Sequence, residues 1–73
     1  MLTIGSTVNN YRIEKIMSST VFAVNSNPEC PQPYVVWDLD SDTDGVNNGR
    51  YFSYRNPALS KFYGVIADKR GEE

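Results

Sequence analysis

Six consecutive residues, 34–39 with the sequence YVVWDL, decide the fold. They divide between two faces, with Val35, Trp37 and Leu39 on one and Tyr34, Val36 and Asp38 on the other. This period of two predicts a β-strand with one clearly buried side. Residues 50–54, RYFSY, alternate around Phe52 in the same way, so we expect them to pair back antiparallel. The acidic run between the two strands is then the tip of a hairpin.

A second hairpin is predicted in the N-terminal half. Residues 11–17, YRIEKIM, begin with alternation and then change phase, which fits either a bulged strand or a helical turn. We favour the strand, because Ser18 and Ser19 are typical of a tight turn into residues 20–24, TVFAV, which are rich in β-formers. Leu2 and Ile4 alternate with polar residues and could add a short edge strand.

The C-terminal segment predicts a helix. Asn56 suits the N-cap, and Pro57 suits the first helical position, where no amide donor is needed. Apolar residues follow at helical spacing, and a glycine can end the helix: Leu59, Phe62, Tyr63, Ile66 and then Gly71.

Together these elements predict one α+β domain over residues 1–73. It would consist of a small, meander-like antiparallel sheet of about four strands with one C-terminal α-helix packed on one face. A single helix covers only one face of a sheet, so the other must curl, stay exposed or meet a partner. We expect Tyr34, Val36 and Tyr51 on that uncovered face, where exposed aromatic surface commonly marks a binding site.

The residue composition limits the kinds of function and location that we expect. The chain has 73 residues and no His, so it lacks the commonest general base and the commonest zinc ligand. Cys30 is the only cysteine, which rules out an internal disulfide and favours a reducing, cytoplasmic location. No apolar run is long enough for a membrane span. We therefore expect no enzyme activity, no cofactor and no membrane association.

Charge is concentrated in the predicted hairpin. The net charge is −2, and the segments 1–33 and 57–73 are each neutral. The excess lies in four carboxylates that face only Arg50 and Arg55, namely those of Asp38, Asp40, Asp42 and Asp44. Such an acidic pole attracts cations or basic surfaces and repels a phosphate backbone.

The run DSDTDG, residues 40–45, offers a first alternative, a Ca²⁺ loop. Counted as a calcium-binding loop of the EF-hand type, it places five residues at ligand positions: Asp40, Asp42, Asp44, Val46 and Asn48. The twelfth position, which should be a bidentate Glu, is Tyr51, and the flanking segments are predicted strands instead of helices.

Nucleic-acid binding is a second alternative. Two arginines flank alternate aromatic residues on the predicted strand, and Arg50, Tyr51, Tyr54 and Arg55 could stack on bases and hold phosphates. The acidic character of the chain disfavours this interpretation.

The hypothesis that the sequence favours is a small non-enzymatic intracellular protein-binding module, similar in size and charge to bacterial or phage accessory and inhibitor proteins. Its partner would be a protein with a basic surface, and a homodimer joined through the free sheet face is a further alternative. The contact residues would come from the acidic hairpin and the uncovered sheet face: Asp38, Asp40, Asp42, Asp44, Tyr34, Val36 and Tyr51.

Overall fold

A computed structural model describes residues 2–40, 42, 43 and 45–71. Its elements in chain order are β1 (Thr7–Val8), β2 (Tyr11–Met17), β3 (Thr20–Asn25), β4 (Tyr34–Asp40), β5 (Gly45–Phe52) and α1 (Arg55–Gly71). The strands form one antiparallel sheet in the order β1-β2-β3-β4-β5. The predicted fold class is confirmed, with five strands where about four were expected.

The turns between the N-terminal strands use residues in left-handed conformations. Asn9 and Asn10 have φ values of 51° and 72°, and Ser18 and Ser19 have values of 49° and 57°. Two successive positive φ values are the signature of the type I′ turn, which matches the twist of a hairpin. The first of these turns produces the extra strand, because it pairs Val8 with Tyr11. The edge strand is therefore β1 and not the segment around Leu2 and Ile4.

The ambiguous segment 11–17 is a bulged strand. Ile13 pairs with Ala23 and Lys15 pairs with Phe22, so Glu14 is one extra residue on β2. This bulge explains the change of phase in the sequence pattern, because one inserted residue reverses which positions face the core. The interpretation of these residues as a strand is confirmed.

The β4–β5 hairpin contains a second bulge. Val36 pairs with Arg50 and Asp38 pairs with Asn47, so two residues of β5, Asn48 and Gly49, lie opposite the single Trp37. Asn48 has a positive φ of 54°. Strand β5 begins at Gly45, five residues earlier than predicted, because this bulge carries the pairing through the polar segment.

The helix begins at Arg55, two residues before the predicted first helical position. Pro57 still lies in the first turn, where backbone N–H groups have no partner within the helix. No helix in the described part of the chain is long and apolar enough to cross a membrane.

The sheet carries a buried cluster on each face. The helix-side cluster consists of Phe22, Val36, Ala58, Phe62 and Ile66. The curled-side cluster consists of Ile13, Val21, Ala23, Val35 and Trp37. The sheet curves over the latter, so that Tyr11 of β2 comes within 5.9 Å of Tyr51 of β5, measured between ring centroids.

This arrangement corrects the expected uncovered face. Val36 is fully buried beneath the helix, and Tyr34 packs against the same helix-side cluster. Tyr51 pairs with Val35 and therefore lies on the opposite face. The prediction failed because the helix covers the face that carries Val36, while the face that carries Val35 and Trp37 closes on itself by curling.

Candidate functional site

The described residues of the acidic run lie at the tip of the β4–β5 hairpin, as the sequence predicted. Asp40 ends β4 and pairs with Gly45 at the start of β5. The backbone N–H of Asp42 donates to Oδ1 of Asp40 at 2.9 Å, and the N–H of Gly45 donates to Oγ1 of Thr43 at 3.2 Å. These side chains shape the turn. Asp44, a predicted contact and metal ligand, lies outside the described residues.

Asp38 is in a different situation from the carboxylates of the tip. It lies on the helix side of β4, where its Oδ2 accepts a hydrogen bond from Nδ2 of Asn48 at 3.0 Å. Its Oδ1 is 3.9 Å from Nη1 of Arg50 and 3.6 Å from Nζ of Lys69. Asp38 therefore compensates two cations of its own chain, unlike the described carboxylates of the tip.

An open groove of about 640 Å³ runs between the helix and the β4–β5 hairpin. Its charged lining comes from Asp38, Arg50, Lys61, Asp68 and Lys69, with Val65 as an apolar contribution. Three cations and two carboxylates nearly balance one another, so the groove does not extend the negative potential of the tip.

The curled side carries an aromatic cluster that the sequence did not reveal. The rings of Tyr11 and Trp37 meet edge to face with their centroids 5.6 Å apart, and the ring of Tyr51 packs against the ring of Tyr11. Trp37 is buried, whereas Tyr51 is 45% exposed. A side chain at Gly49 would lie 2.8 Å from the Tyr51 ring and 3.0 Å from Nε1 of Trp37, so glycine leaves the space into which Tyr51 folds.

Tyr11 anchors this cluster to the loop before β4. Its hydroxyl donates to the carbonyl of Gln32 at 3.0 Å and lies 3.8 Å from Sγ of Cys30. Burial raises the pKa of Tyr11 above its ordinary value of 10.0, and the neighbouring Cys30 adds to the increase. The sequence placed Tyr11 on a strand, but its contact with Trp37 crosses from β2 to β4 and follows from the curl of the sheet, which the pattern of a single strand does not show.

The residues suggested for nucleic-acid binding do not share one surface. Arg50 lies on the helix side of β5 and Tyr51 on the curled side, because successive strand residues face opposite ways. Arg55 is engaged by Oε1 of Glu14 at 3.2 Å and lies over the ring of Phe22. Tyr54 is 74% exposed. Arg50 lies on the helix side of the sheet and Arg55 is paired with Glu14, so neither arginine is available to act together with Tyr54.

The residues suggested for a Ca²⁺ loop are likewise dispersed. Asn48 donates its side-chain amide to Asp38, and Val46 packs against the curled-side cluster. Asp40 and Asp42 remain together at the tip. Within the described residues, no three His, Cys, Asp or Glu side chains are grouped so that they could hold a metal ion.

Comparisons with protein-family models, with curated proteins and with solved structures find no match.

Proposed function

We propose that this chain is a small, non-enzymatic protein-binding module of the cytoplasm, of the accessory or inhibitor kind, which presents the β4–β5 hairpin to a basic surface on a partner protein. The contact is centred on the tip, residues 40–45, and reaches along the hairpin to Tyr51.

The observation that carries this proposal is the contrast between Asp38 and the tip. Asp38 is surrounded by Arg50, Asn48 and Lys69 of its own chain. Among the described residues, no ion pair involves Asp40 or Asp42, and Asp42 is exposed. Carboxylates that have no cation of the described part of the chain beside them create a local negative potential, which steers and orients a cationic partner.

Tyr51 supports a contact that extends beyond the tip. It is the half-exposed member of the aromatic cluster, where its ring meets that of Tyr11 and lies in the space that Gly49 leaves open. Rigid, partly exposed tyrosines are favoured in protein interfaces, because they bury a large area at a small entropic cost. About five residues of strand separate Tyr51 from the tip, or roughly 17 Å, which lies within the span of a standard interface.

The test is neutralisation of the tip without a change in its shape. Asp40→Asn, Asp42→Asn and Asp44→Asn keep side-chain oxygens that can accept backbone N–H groups, but they remove three charges. A matched control removes three carboxylates elsewhere, through Glu29→Gln, Asp68→Asn and Glu73→Gln. Both variants should unfold in urea within about 0.5 kcal/mol of the wild type, as surface substitutions usually do.

Binding is measured against a partner captured by the immobilised wild-type chain, at low and at physiological salt. The tip variant should bind about tenfold more weakly at low salt, since each rim charge contributes about 0.5 kcal/mol, and its affinity should depend less on salt. The control should keep the wild-type affinity. An equal loss in both variants, or none in the tip variant, would refute the proposal.

A further inference from the structure

The ammonium group of Lys69 lies in a cradle of four oxygen atoms. Nζ donates to the backbone carbonyls of Ser18 and Ser19 at 3.0 and 2.9 Å and to Oγ1 of Thr20 at 2.8 Å. Oδ1 of Asp38 is 3.6 Å away. Three short contacts match the three N–H donors of a primary ammonium, and the carboxylate supplies the opposite charge.

The sheet, and not the helix, builds this cradle. The type I′ turn at Ser18 and Ser19 turns two successive carbonyls towards the helix side, and Thr20 follows at the start of β3. Thr20 pairs with Asp38 on β4, which places the hydroxyl beside the carboxylate. The N–H of Leu39 donates to the carbonyl of Ser19 at 2.8 Å and helps to hold it in place. The oxygens are therefore arranged independently of Lys69.

Lys69 reaches the sheet from the C-terminal end of the helix, beyond its last buried residue. Ile66 is the last residue of the helix-side cluster, and Ala67 and Asp68 are exposed. Beyond Ile66, the contacts of the described side chains with the sheet are those that Lys69 makes with the cradle. Ends of helices open at low free-energy cost, so the ammonium group can leave while the core stays folded.

We propose that the cradle is a binding site for a primary ammonium group, which Lys69 fills in this conformation and which a lysine of the basic partner occupies when the end of the helix detaches. The source of that lysine rests on the proposed function, whereas the cradle does not. Lys69 thus competes with the partner's lysine for the same oxygen atoms. Asp38, whose charge Lys69 compensates in the free chain, becomes available to the partner when one ammonium group replaces the other.

The cradle is tested by chemical rescue. Lys69→Ala should lower the melting temperature by about 5 °C, whereas Lys61→Ala, which truncates an exposed lysine of the same helix, should change it by less than about 2 °C. Methylammonium chloride should restore most of the loss in Lys69→Ala and leave the wild type unchanged. Tetramethylammonium chloride at the same ionic strength has no N–H donor and should restore nothing. Equal effects of the two salts would overturn the proposal.

A second variant identifies the oxygens involved. Adding Thr20→Val to Lys69→Ala removes the hydroxyl but keeps the shape of the side chain, so the rescue by methylammonium should be lost. Backbone amide spectra at low temperature provide an independent measurement. Methylammonium should shift the signals of residues 18–20 and 38–39 in Lys69→Ala, and shifts spread over the whole chain would count against the site.

A lysine peptide tests the source of the ammonium group. Acetyl-Gly-Lys-Gly-amide should produce the same shifts in Lys69→Ala, and the peptide with an acetylated lysine side chain should not. If methylammonium binds and the lysine peptide does not, the lysine assignment is wrong. Neutralising the tip should leave the methylammonium rescue intact, so failure of the cradle and failure of the proposed function give different results.

Discussion

The two faces of the sheet are closed by different means. On the helix side, a single element supplies Ala58, Phe62 and Ile66 to cover Phe22 and Val36. On the curled side, no second layer is present among the described residues, and the sheet bends around Trp37 with the help of two bulges. One face thus depends on docking of a helix and the other on the geometry of turns and strands. Substitutions confined to one side should therefore separate the two dependences.

Phe62→Ala should have the largest effect. Phe62 is fully buried, and the centroid of its ring lies 6.1 Å from that of Phe22. Truncation of such a ring costs about 3–5 kcal/mol, which is a large share of the stability of a domain this small. Urea unfolding followed by circular dichroism measures the loss in the free energy of unfolding.

The control for Phe62→Ala is Tyr63→Ala, which removes a neighbouring ring that is 48% exposed and should cost under about 1 kcal/mol. If Phe62→Ala proved as mild as Tyr63→Ala, the helix would not be what closes its side of the sheet.

Gly49→Ala should have an intermediate effect and act on the curled side. The added Cβ would collide with the ring of Tyr51, and displacing that ring from its contact with Tyr11 should cost about 1–2 kcal/mol. Tryptophan fluorescence should change with it. The second change Tyr51→Ala should recover part of the loss, because it removes the collision.

Gly64→Ala is the matched control. A Cβ there meets nothing within 4 Å, and Gly64 lies within the helix. Alanine is the better helix former, so this variant should gain about 0.5–1 kcal/mol. Opposite signs at the two glycines are the expected outcome, and a loss at both would contradict the packing described for Tyr51.

The smallest effect concerns pH. Because burial raises the pKa of Tyr11 in the folded state, the folded chain holds this proton more tightly than the unfolded chain. The resulting stabilisation is fully present below the unfolded pKa of about 10 and is lost as pH rises through the folded pKa. Stability should therefore fall with increasing pH above about 10.

Tyr11→Phe should flatten that alkaline decline. It also removes the hydrogen bond to Gln32, a loss of about 0.5–1 kcal/mol that does not vary with pH below 9. Urea midpoints measured from pH 8 to pH 11 separate the slope from this constant offset. Since the other tyrosines are present in both proteins, parallel curves would show that Tyr11 does not contribute to the decline.

Local patterns predicted most of the fold. The strand around Trp37, the turn at Ser18 and Ser19 and the C-terminal helix each follow from spacing and turn chemistry within a few residues. The side on which the helix packs could not be predicted in this way. Both faces of β4 are apolar, with Val35 and Trp37 on one and Val36 on the other, so alternation alone does not indicate which face the helix covers.

The candidate site was predicted only in part, for the same reason. Position in the hairpin placed Asp40 and Asp42 at the tip correctly. Asp38 belongs to the same acidic run in sequence, but its compensation by Lys69 joins residues that are far apart along the chain. Only tertiary structure distinguishes a carboxylate that neutralises its own helix from one that faces solvent.

The bulge in β5 has a consequence for the chain at high concentration. Strand β5 is an edge of the sheet, eight residues long, and regular edges of that length are templates for uncontrolled aggregation between sheets. Asn48, in its left-handed conformation, interrupts the repeat halfway along that edge. A neighbouring strand that follows Gly45 to Asn47 loses register before it reaches Arg50, so the bulge that leaves space for the ring of Tyr51 also opposes fibril growth.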